Sequence, residues 1–106
     1  MKAIITDPEA QAELEAAADW YEMQKDGLGG EFLDGVEQTI IAIRRCPKAF
    51  PLFRNTSIRK HVMQRFPYLI FYEEFDAHLW IYAFAHSKRR PGYWLKRVEE
   101  KKTDDE

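Results

Sequence analysis

The sequence has few residues that could form a disulfide or a metal site. It contains a single cysteine, Cys46, which excludes an internal disulfide and a cysteine-rich zinc cage and fits a reducing compartment. Its three histidines, His61, His78 and His86, lack the i, i+4 spacing of metal ligands on a helix, and no tight carboxylate cluster accompanies them. We therefore expect neither a metal ion nor another cofactor.

Long hydrophobic runs are also absent. No segment approaches the roughly 18 apolar residues of a membrane span, and the apolar run at the N-terminus is too short for a signal peptide. We therefore expect a cytoplasmic protein without membrane contacts. At 106 residues and 45% hydrophobic content, the chain can build one core and not two. We predict a single domain over residues 1–98 and a charged tail over residues 99–106.

Charge is distributed unevenly along the chain, although the formal net charge is only −2. Residues 1–43 carry two basic and ten acidic side chains, whereas residues 44–98 carry twelve basic and three acidic ones. Residues 99–106 carry two basic and five acidic side chains. A local positive field attracts a polyanion or an acidic partner whatever the overall charge. The alternative is that the acidic half pairs with the basic half inside the monomer.

The N-terminal half has the pattern of a strand followed by two helices. Residues 2–6 are short, apolar and partly β-branched, and Asp7-Pro8 is typical of a helix start because aspartate caps free amides and proline suits the first turn. Glycines at 27, 29 and 30 separate two helical stripes. The second helix ends at Cys46-Pro47. The stripes consist of Ala10, Leu14, Ala17 and Tyr21, then Leu33, Val36, Ile40 and Ile43.

The C-terminal half has the pattern of three strands. Residues 58–64 alternate between two faces, and the runs 66–75 and 79–86 are apolar at nearly every position, with a short polar connection between them. Such runs suit a sheet covered by helices on one face and partly shielded by large rings on the other. A short helix is predicted from Pro91 to Val98. The fold class is therefore α+β, with an N-terminal strand, a helical hairpin and a three-stranded antiparallel meander (βααβββ).

The last predicted strand runs into a cationic stretch that is the main candidate site. Lysine and arginine attract phosphate, and aromatic rings stack on unpaired bases. If the site cleaves RNA without a metal, His86 is the candidate acid or base, Tyr93 is a second candidate, and Arg65 with Arg89 or Arg90 would stabilise the developing charge. The alternatives are a strand-end histidine satisfied by a backbone group, and aromatic rings that only pack the core.

Two segments carry a resemblance to a known family. Residues 65–72, Arg-Phe-Pro-Tyr-Leu-Ile-Phe-Tyr, are followed by an apolar strand and by residues 86–94, His-Ser-Lys-Arg-Arg-Pro-Gly-Tyr-Trp. This pattern resembles the RelE/ParE superfamily of type II toxin-antitoxin toxins, and most closely its ParE-like, plasmid-stabilisation branch. The resemblance spans residues 2–98. It implies a small toxin neutralised by an antitoxin whose disordered segment folds around it.

The two branches of the superfamily imply different targets. ParE-like members poison DNA gyrase by binding it, whereas RelE-like members cut mRNA in the ribosome, with cations spread over the central strands. Residues 69–72 and 80–85 carry no cation here, which favours a binding toxin over a nuclease. An mRNA endoribonuclease and a non-toxic relative that only binds an antitoxin are the alternatives, and no small-molecule substrate is expected. The predicted target-binding residues are Arg59, Lys60, Arg65, Lys88, Arg89, Arg90, Tyr93 and Trp94.

Overall fold

The computed structural model describes residues 1–104, and it confirms the predicted α+β order. A single 3-10 turn, Pro47–Ala49, follows the second helix. None of the helices in the described residues is long and apolar enough to cross a membrane. The elements are β1 (Ala3–Thr6), α1 (Pro8–Gln24), α2 (Leu28–Arg45), β2 (Ile58–Val62), β3 (Tyr68–Glu74), β4 (His78–His86) and α3 (Leu95–Asp104).

Side-chain caps hold the helical hairpin in place. Asp7 accepts a hydrogen bond from the amide of Glu9 at 2.9 Å, which satisfies one of the free donors at the start of α1. At the other end of the hairpin, the carboxylate of Glu22 accepts from the amides of Gly27 and Gly29 at 2.9 and 3.0 Å. An acidic residue of α1 therefore caps the start of α2. These two hydrogen bonds hold the tight turn between the two helices.

The four strands form one sheet in the order β1-β4-β3-β2. The last three strands are the predicted antiparallel meander, and β1 pairs in parallel with β4. β1 covers only the first part of the β4 edge, because its last paired residue, Thr6, lies opposite Ile81. The amide of Asp7 then donates to the carbonyl of Ile81 at 2.9 Å, and the chain turns into α1. Among residues 1–104, no strand therefore pairs with the end of β4 on that side.

A β-bulge divides β4. Phe71 pairs with Ala83 and Tyr72 pairs with Ile81, so Tyr82 is the extra residue. Side chains alternate along a strand, and one extra residue reverses that alternation. As a result Tyr82 and Ala83 both point away from the hairpin, and Phe84 points towards it. The bulge therefore decides which side of the sheet the end of β4 presents.

Each face of the sheet carries its own hydrophobic layer. On the face covered by α1 and α2, called the hairpin face, Phe32 and Val36 pack against Ile70 and Ile81. On the opposite face, called the α3 face, Phe71 and Tyr82 pack against Trp94 and Val98. The prediction of one face covered by helices was therefore incomplete, because α3 covers part of the second face.

The C-terminal helix differs from the prediction at both ends. It begins at Leu95 rather than Pro91, because Gly92 has a φ of +82°, which lies outside helical geometry. It also continues through most of the segment predicted as a charged tail. Lys101 is buried, with its ammonium 4.4 Å from the ring centroid of Phe75 and 4.8 Å from that of Trp80. The last two residues of the predicted tail, 105 and 106, lie outside the described residues.

Candidate target-binding surface

The basic segment, residues 86–94, connects β4 to α3 through consecutive turns. The amide of Ser87 donates to the carbonyl of Pro67 at 2.8 Å, and the amide of Arg89 donates to the carbonyl of His86 at 3.0 Å. The amide of Lys88 donates to Nδ1 of His86 at 3.0 Å. One imidazole nitrogen is thus engaged by the backbone of its own segment. This contact orients the half-buried ring at the end of β4.

Trp94 belongs to the core, and of the surface predicted to bind the target it forms only part of the lining of a cavity beside the basic segment. Its side chain is 1% exposed. Its ring centroid lies 4.6 Å from that of Phe71 and 5.0 Å from that of Phe53. The physical reason is that α3 needs an apolar anchor on the sheet, and the indole supplies a large one. Trp94 therefore fixes the end of the basic segment.

The charged side chains of the basic segment face solvent. Lys88, Arg89 and Arg90 are exposed, and none of the three forms an ion pair with another of the described residues. The guanidinium of Arg89 lies 3.9 Å from the ring centroid of Tyr93, which favours a position over the ring. Internal pairing of the acidic and basic halves does not neutralise these side chains. Their field is available to an anionic partner.

A small cavity lies between the basic segment and the α3 face of the sheet. Its volume is about 110 Å³. Leu69, Phe71 and Ala85 line it together with the cations Lys60, Arg89 and Arg90, and none of the described residues that line it is a carboxylate. Such a cavity fits a ligand or side chain that combines an apolar body with a negative charge. It lies over the first half of β3 and the end of β4.

Two of the predicted site residues lie away from the basic segment. Arg59 alternates with Lys60 on β2, and its Nη1 donates to the carbonyl of Phe50 at 2.8 Å. Arg65 forms an ion pair with Glu31 of α2 at 2.7 Å, which lowers the pKa of the Glu31 carboxyl. Arg65 also lines a separate cavity of about 310 Å³ between α2 and the end of β2. The structure brings together Lys60, His86, Lys88, Arg89, Arg90 and Tyr93.

Glu13 of α1 is a structural partner of this surface that sequence reasoning missed. Its carboxylate accepts a short hydrogen bond from the hydroxyl of Tyr93 and bonds from the guanidinium of Arg97 at 2.8 and 3.1 Å. It also accepts from the amide of Phe84 at 3.2 Å, and Arg97 donates to the carbonyl of Tyr82 at 2.8 Å. Both β4 groups lie beyond the point where β1 ends. The two charged side chains therefore satisfy backbone that has no strand partner.

A signal for Glu13 existed in the sequence. Residues 10, 13, 14 and 17 of α1 share one face at helical spacing, so Glu13 interrupts an otherwise apolar stripe. The Glu13 side chain is 16% exposed and that of Arg97 is 12% exposed. Burial alone would lower the pKa of Arg97, but the hydrogen bond and charge of Glu13 outweigh it and raise that pKa. A carboxylate on an apolar stripe indicates a buried partner of opposite charge.

Tyr93 is held in its neutral form. Burial, and then the hydrogen bond to Glu13, raise the pKa of its phenol above the usual range. A phenol that donates to a carboxylate and resists ionisation is a poor general base at neutral pH. Its ring supports Arg89 and its hydroxyl joins α1 to the basic segment. The structure favours a positioning role for Tyr93.

Alkaline pH is expected to destabilise the protein. Burial raises the pKa of Tyr72 to about 12, and the pKa of Tyr93 is raised as well. Because an unfolded tyrosine ionises near pH ~10, the unfolded chain loses these protons first. The contribution of these two tyrosines to the free energy of unfolding is therefore fully present below about pH 10. Above that pH it falls, by at most about 1.4 kcal/mol per pH unit for each tyrosine. Urea unfolding at a series of pH values measures this slope. Tyr93→Phe should make it shallower, and an unchanged slope would contradict the assignment.

Comparisons with known proteins show the fold. No protein-family model matches the chain, and no curated protein matches it. Among solved structures, a chain from the structure described as the chromosomal ParDE TA system from P. aeruginosa superimposes with a TM-score of 0.60. The match covers 81% of this chain and 96% of that chain, at 14% sequence identity. The two chains share a fold. The fold expected from the resemblance of residues 65–94 is therefore confirmed.

Proposed function

We propose that the protein is the toxin of a type II toxin-antitoxin pair, that it inhibits DNA gyrase by binding it, and that a cognate antitoxin neutralises it. The observation that carries this proposal is an exposed basic segment on a fold shared with a chain of a ParDE system. Fold alone does not decide the target, so we infer the target from the exposed surface. Action in the cytoplasm and a part in plasmid stabilisation belong to the same proposal.

The cavity beside the basic segment supports binding rather than catalysis. Leu69, Phe71 and Ala85 form its apolar lining, and Lys60, Arg89 and Arg90 add cations. An apolar pocket with cations beside it is typical of a protein interface, where a central anchor is buried and charges steer and orient the partner. The proposed contact on gyrase therefore presents an apolar side chain with a carboxylate nearby.

A metal-independent mRNA endoribonuclease is the second candidate, and His86 is the observation that favours it. The ring lines the same cavity as the exposed Arg89 and Arg90, an arrangement suited to acid or base chemistry beside a phosphate. Two contacts weigh against it. Tyr93 is committed to Glu13, and Arg65 is paired with α2 instead of the basic segment. A non-toxic relative that only binds an antitoxin is the third reading.

Induced expression in bacterial cells separates the three readings. Gyrase inhibition predicts a DNA-damage response with intact transcripts, and loss of supercoiling by purified gyrase in the presence of the protein. Ribosomal mRNA cleavage predicts translation arrest with cut transcripts and no effect on supercoiling. Normal growth after verified expression supports the non-toxic reading. Cut transcripts together with unimpaired gyrase would reject the lead proposal.

The combined variant Lys60→Ala/Arg89→Ala/Arg90→Ala tests the surface. We expect the concentration needed for half inhibition of gyrase to rise at least about tenfold, because three interface charges are lost. The matched control removes three exposed cations elsewhere, as Lys25→Ala/Arg45→Ala/Lys48→Ala. Its inhibition should stay near that of the parent. Equal inhibition by the two variants would show that the basic segment does not bind the target.

A further inference from the structure

One arginine outside the basic segment has a backbone conformation that does not suit its side chain. Arg54 has a φ of +51°, and among residues 1–104 it is the one residue other than glycine with a positive φ. Glycine and asparagine adopt this left-handed conformation far more readily than arginine does, because a long side chain brings Cβ close to the backbone without a compensating local hydrogen bond. The surrounding structure therefore holds Arg54 in a conformation that arginine itself disfavours.

Hydrogen bonds on both sides of Arg54 fix this turn. The amide of Phe53 donates to the carbonyl of Ile58 at 2.7 Å, and the amide of Thr56 donates to the carbonyl of Phe53 at 3.2 Å. The hydroxyl of Thr56 donates to the same carbonyl at 2.5 Å and accepts from the amide of Ile58 at 3.1 Å. These bonds close the chain between residues 53 and 58. A closed turn gives the side chain of Arg54 a defined position.

That position is next to the basic segment. The guanidinium of Arg54 lies 4.7 Å from the ring centroid of Phe53, and Phe53 lines the cavity on the α3 face. A Cβ built on Gly92 would lie 3.7 Å from Nη1 of Arg54. Gly92 also has a positive φ, which glycine adopts without strain. Two left-handed positions therefore meet beside the cavity, and the one at residue 54 carries a residue that is strained there.

Arg54 adds positive charge to this side of the cavity. Its side chain is exposed, and it forms no ion pair with another of the described residues. A guanidinium that contacts an aromatic ring can still donate from its edge to both oxygens of a carboxylate. Lys60, Arg89 and Arg90 line the same cavity. The cationic surface therefore extends beyond these three residues to the turn before β2.

We infer that Arg54 is a contact residue of the target-binding surface and that it binds a carboxylate of the partner. This inference rests on the proposed function and adds a residue that the sequence pattern did not predict. Strained backbone conformations concentrate at functional sites, where the surrounding structure enforces them. Asparagine at this position would relieve the strain but would carry no charge. The arginine therefore lowers stability while it supplies a cation beside the cavity.

Arg54→Asn separates the effect on binding from the effect on stability. Because asparagine suits the left-handed conformation, the urea midpoint of the variant should not fall below that of the parent. The concentration needed for half inhibition of purified gyrase should nevertheless rise at least about fivefold, because a contact with the target is lost. Far-UV circular dichroism measures the urea midpoint, and a supercoiling assay measures the inhibition.

Two further variants make the test specific. Arg45→Asn applies the same change to an exposed arginine at the end of α2, and its inhibition should stay within about twofold of the parent. Arg54→Lys keeps the charge and should recover part of the inhibition. Unchanged inhibition by Arg54→Asn, or lost inhibition with a lower urea midpoint, would overturn the role of Arg54 and leave the proposed function in place. Absence of gyrase inhibition by the parent would overturn both.

Discussion

Trp94→Ala is expected to lower the free energy of unfolding by about 3 to 5 kcal/mol, the cost of a large cavity in a packed core. The indole is 1% exposed and contacts Phe53, Phe71 and Tyr82. The indole joins the start of α3 to the sheet, so loss of the indole should also loosen α3. Urea unfolding with far-UV circular dichroism measures the stability, and hydrogen exchange over residues 87–101 measures the release.

Trp20→Ala is the matched control for this variant. It removes the same side chain from an exposed position on α1, where the expected cost is about 1 kcal/mol or less. The comparison separates the loss of a buried ring from the loss of a tryptophan as such. Similar destabilisation by the two variants would contradict the placement of Trp94 in the α3-face layer.

Glu13→Ala is expected to lower the free energy of unfolding by about 3 kcal/mol. The change removes the main partner of Arg97, whose side chain is 12% exposed, and leaves a largely buried guanidinium with Glu9 as its remaining carboxylate. It also leaves the hydroxyl of Tyr93 and the amide of Phe84 without their acceptor. The basic segment should therefore lose its polar attachment to α1. Urea unfolding and hydrogen exchange at residues 84 and 93 measure the two effects.

Two further variants define what Glu13 does. Glu31→Ala breaks the ion pair between Glu31 and Arg65, which is similar in length but lies on an exposed surface. We therefore expect no measurable change in the free energy of unfolding. Glu13→Gln keeps an acceptor for Tyr93 while removing the charge, so it should recover part of the loss seen with alanine. If Glu13→Ala were no more destabilising than Glu31→Ala, the cluster of Glu13, Tyr93 and Arg97 would not hold the segment.

A variant can lose the proposed activity either because it unfolds or because it lacks a contact with the target. Trp94 and Glu13 stabilise the basic segment from the core and from α1, so their variants should lose activity through folding. Arg89 and Arg90 are exposed, and removing them should leave stability within about 0.5 kcal/mol. Lys60 is only half-buried. Variants at the exposed cations therefore test the surface itself, and stability measurements must accompany all of them.

Much of the fold followed from local patterns. The stripes that include Ala10, Ala17, Val36 and Ile43 predicted both helices, because helix periodicity is set by residues three and four apart. Asp7-Pro8 predicted the start of α1. The two apolar runs predicted β3 and β4 as neighbours in a meander. The C-terminal part of α3 was not predicted, because a lysine such as Lys101 in a charged segment is expected to face solvent. In the structure Phe75 and Trp80 cover it.

Part of the candidate site followed in the same way. The run of cations after His86 predicted an exposed basic segment, and Lys88, Arg89 and Arg90 are exposed. Arg59 and Arg65 were grouped with that segment because they lie near predicted strand ends. In the structure their side chains contact Phe50 and Glu31 instead. Proximity to a strand end does not specify which face or which end of the sheet a side chain occupies.

The sequence by itself determined the order of helices and strands, the concentration of positive charge after His86 and the apolar centres of β3 and β4. Tertiary structure alone decided which side of the sheet each residue at the end of β4 faces. The extra residue at Tyr82 reverses the alternation of β4, so Phe84 faces the hairpin. Trp94 and Glu13 acquired their roles only when α3 packed on the sheet beside α1. Periodicity is a local property, whereas a bulge and a buried ion pair depend on partners distant in sequence.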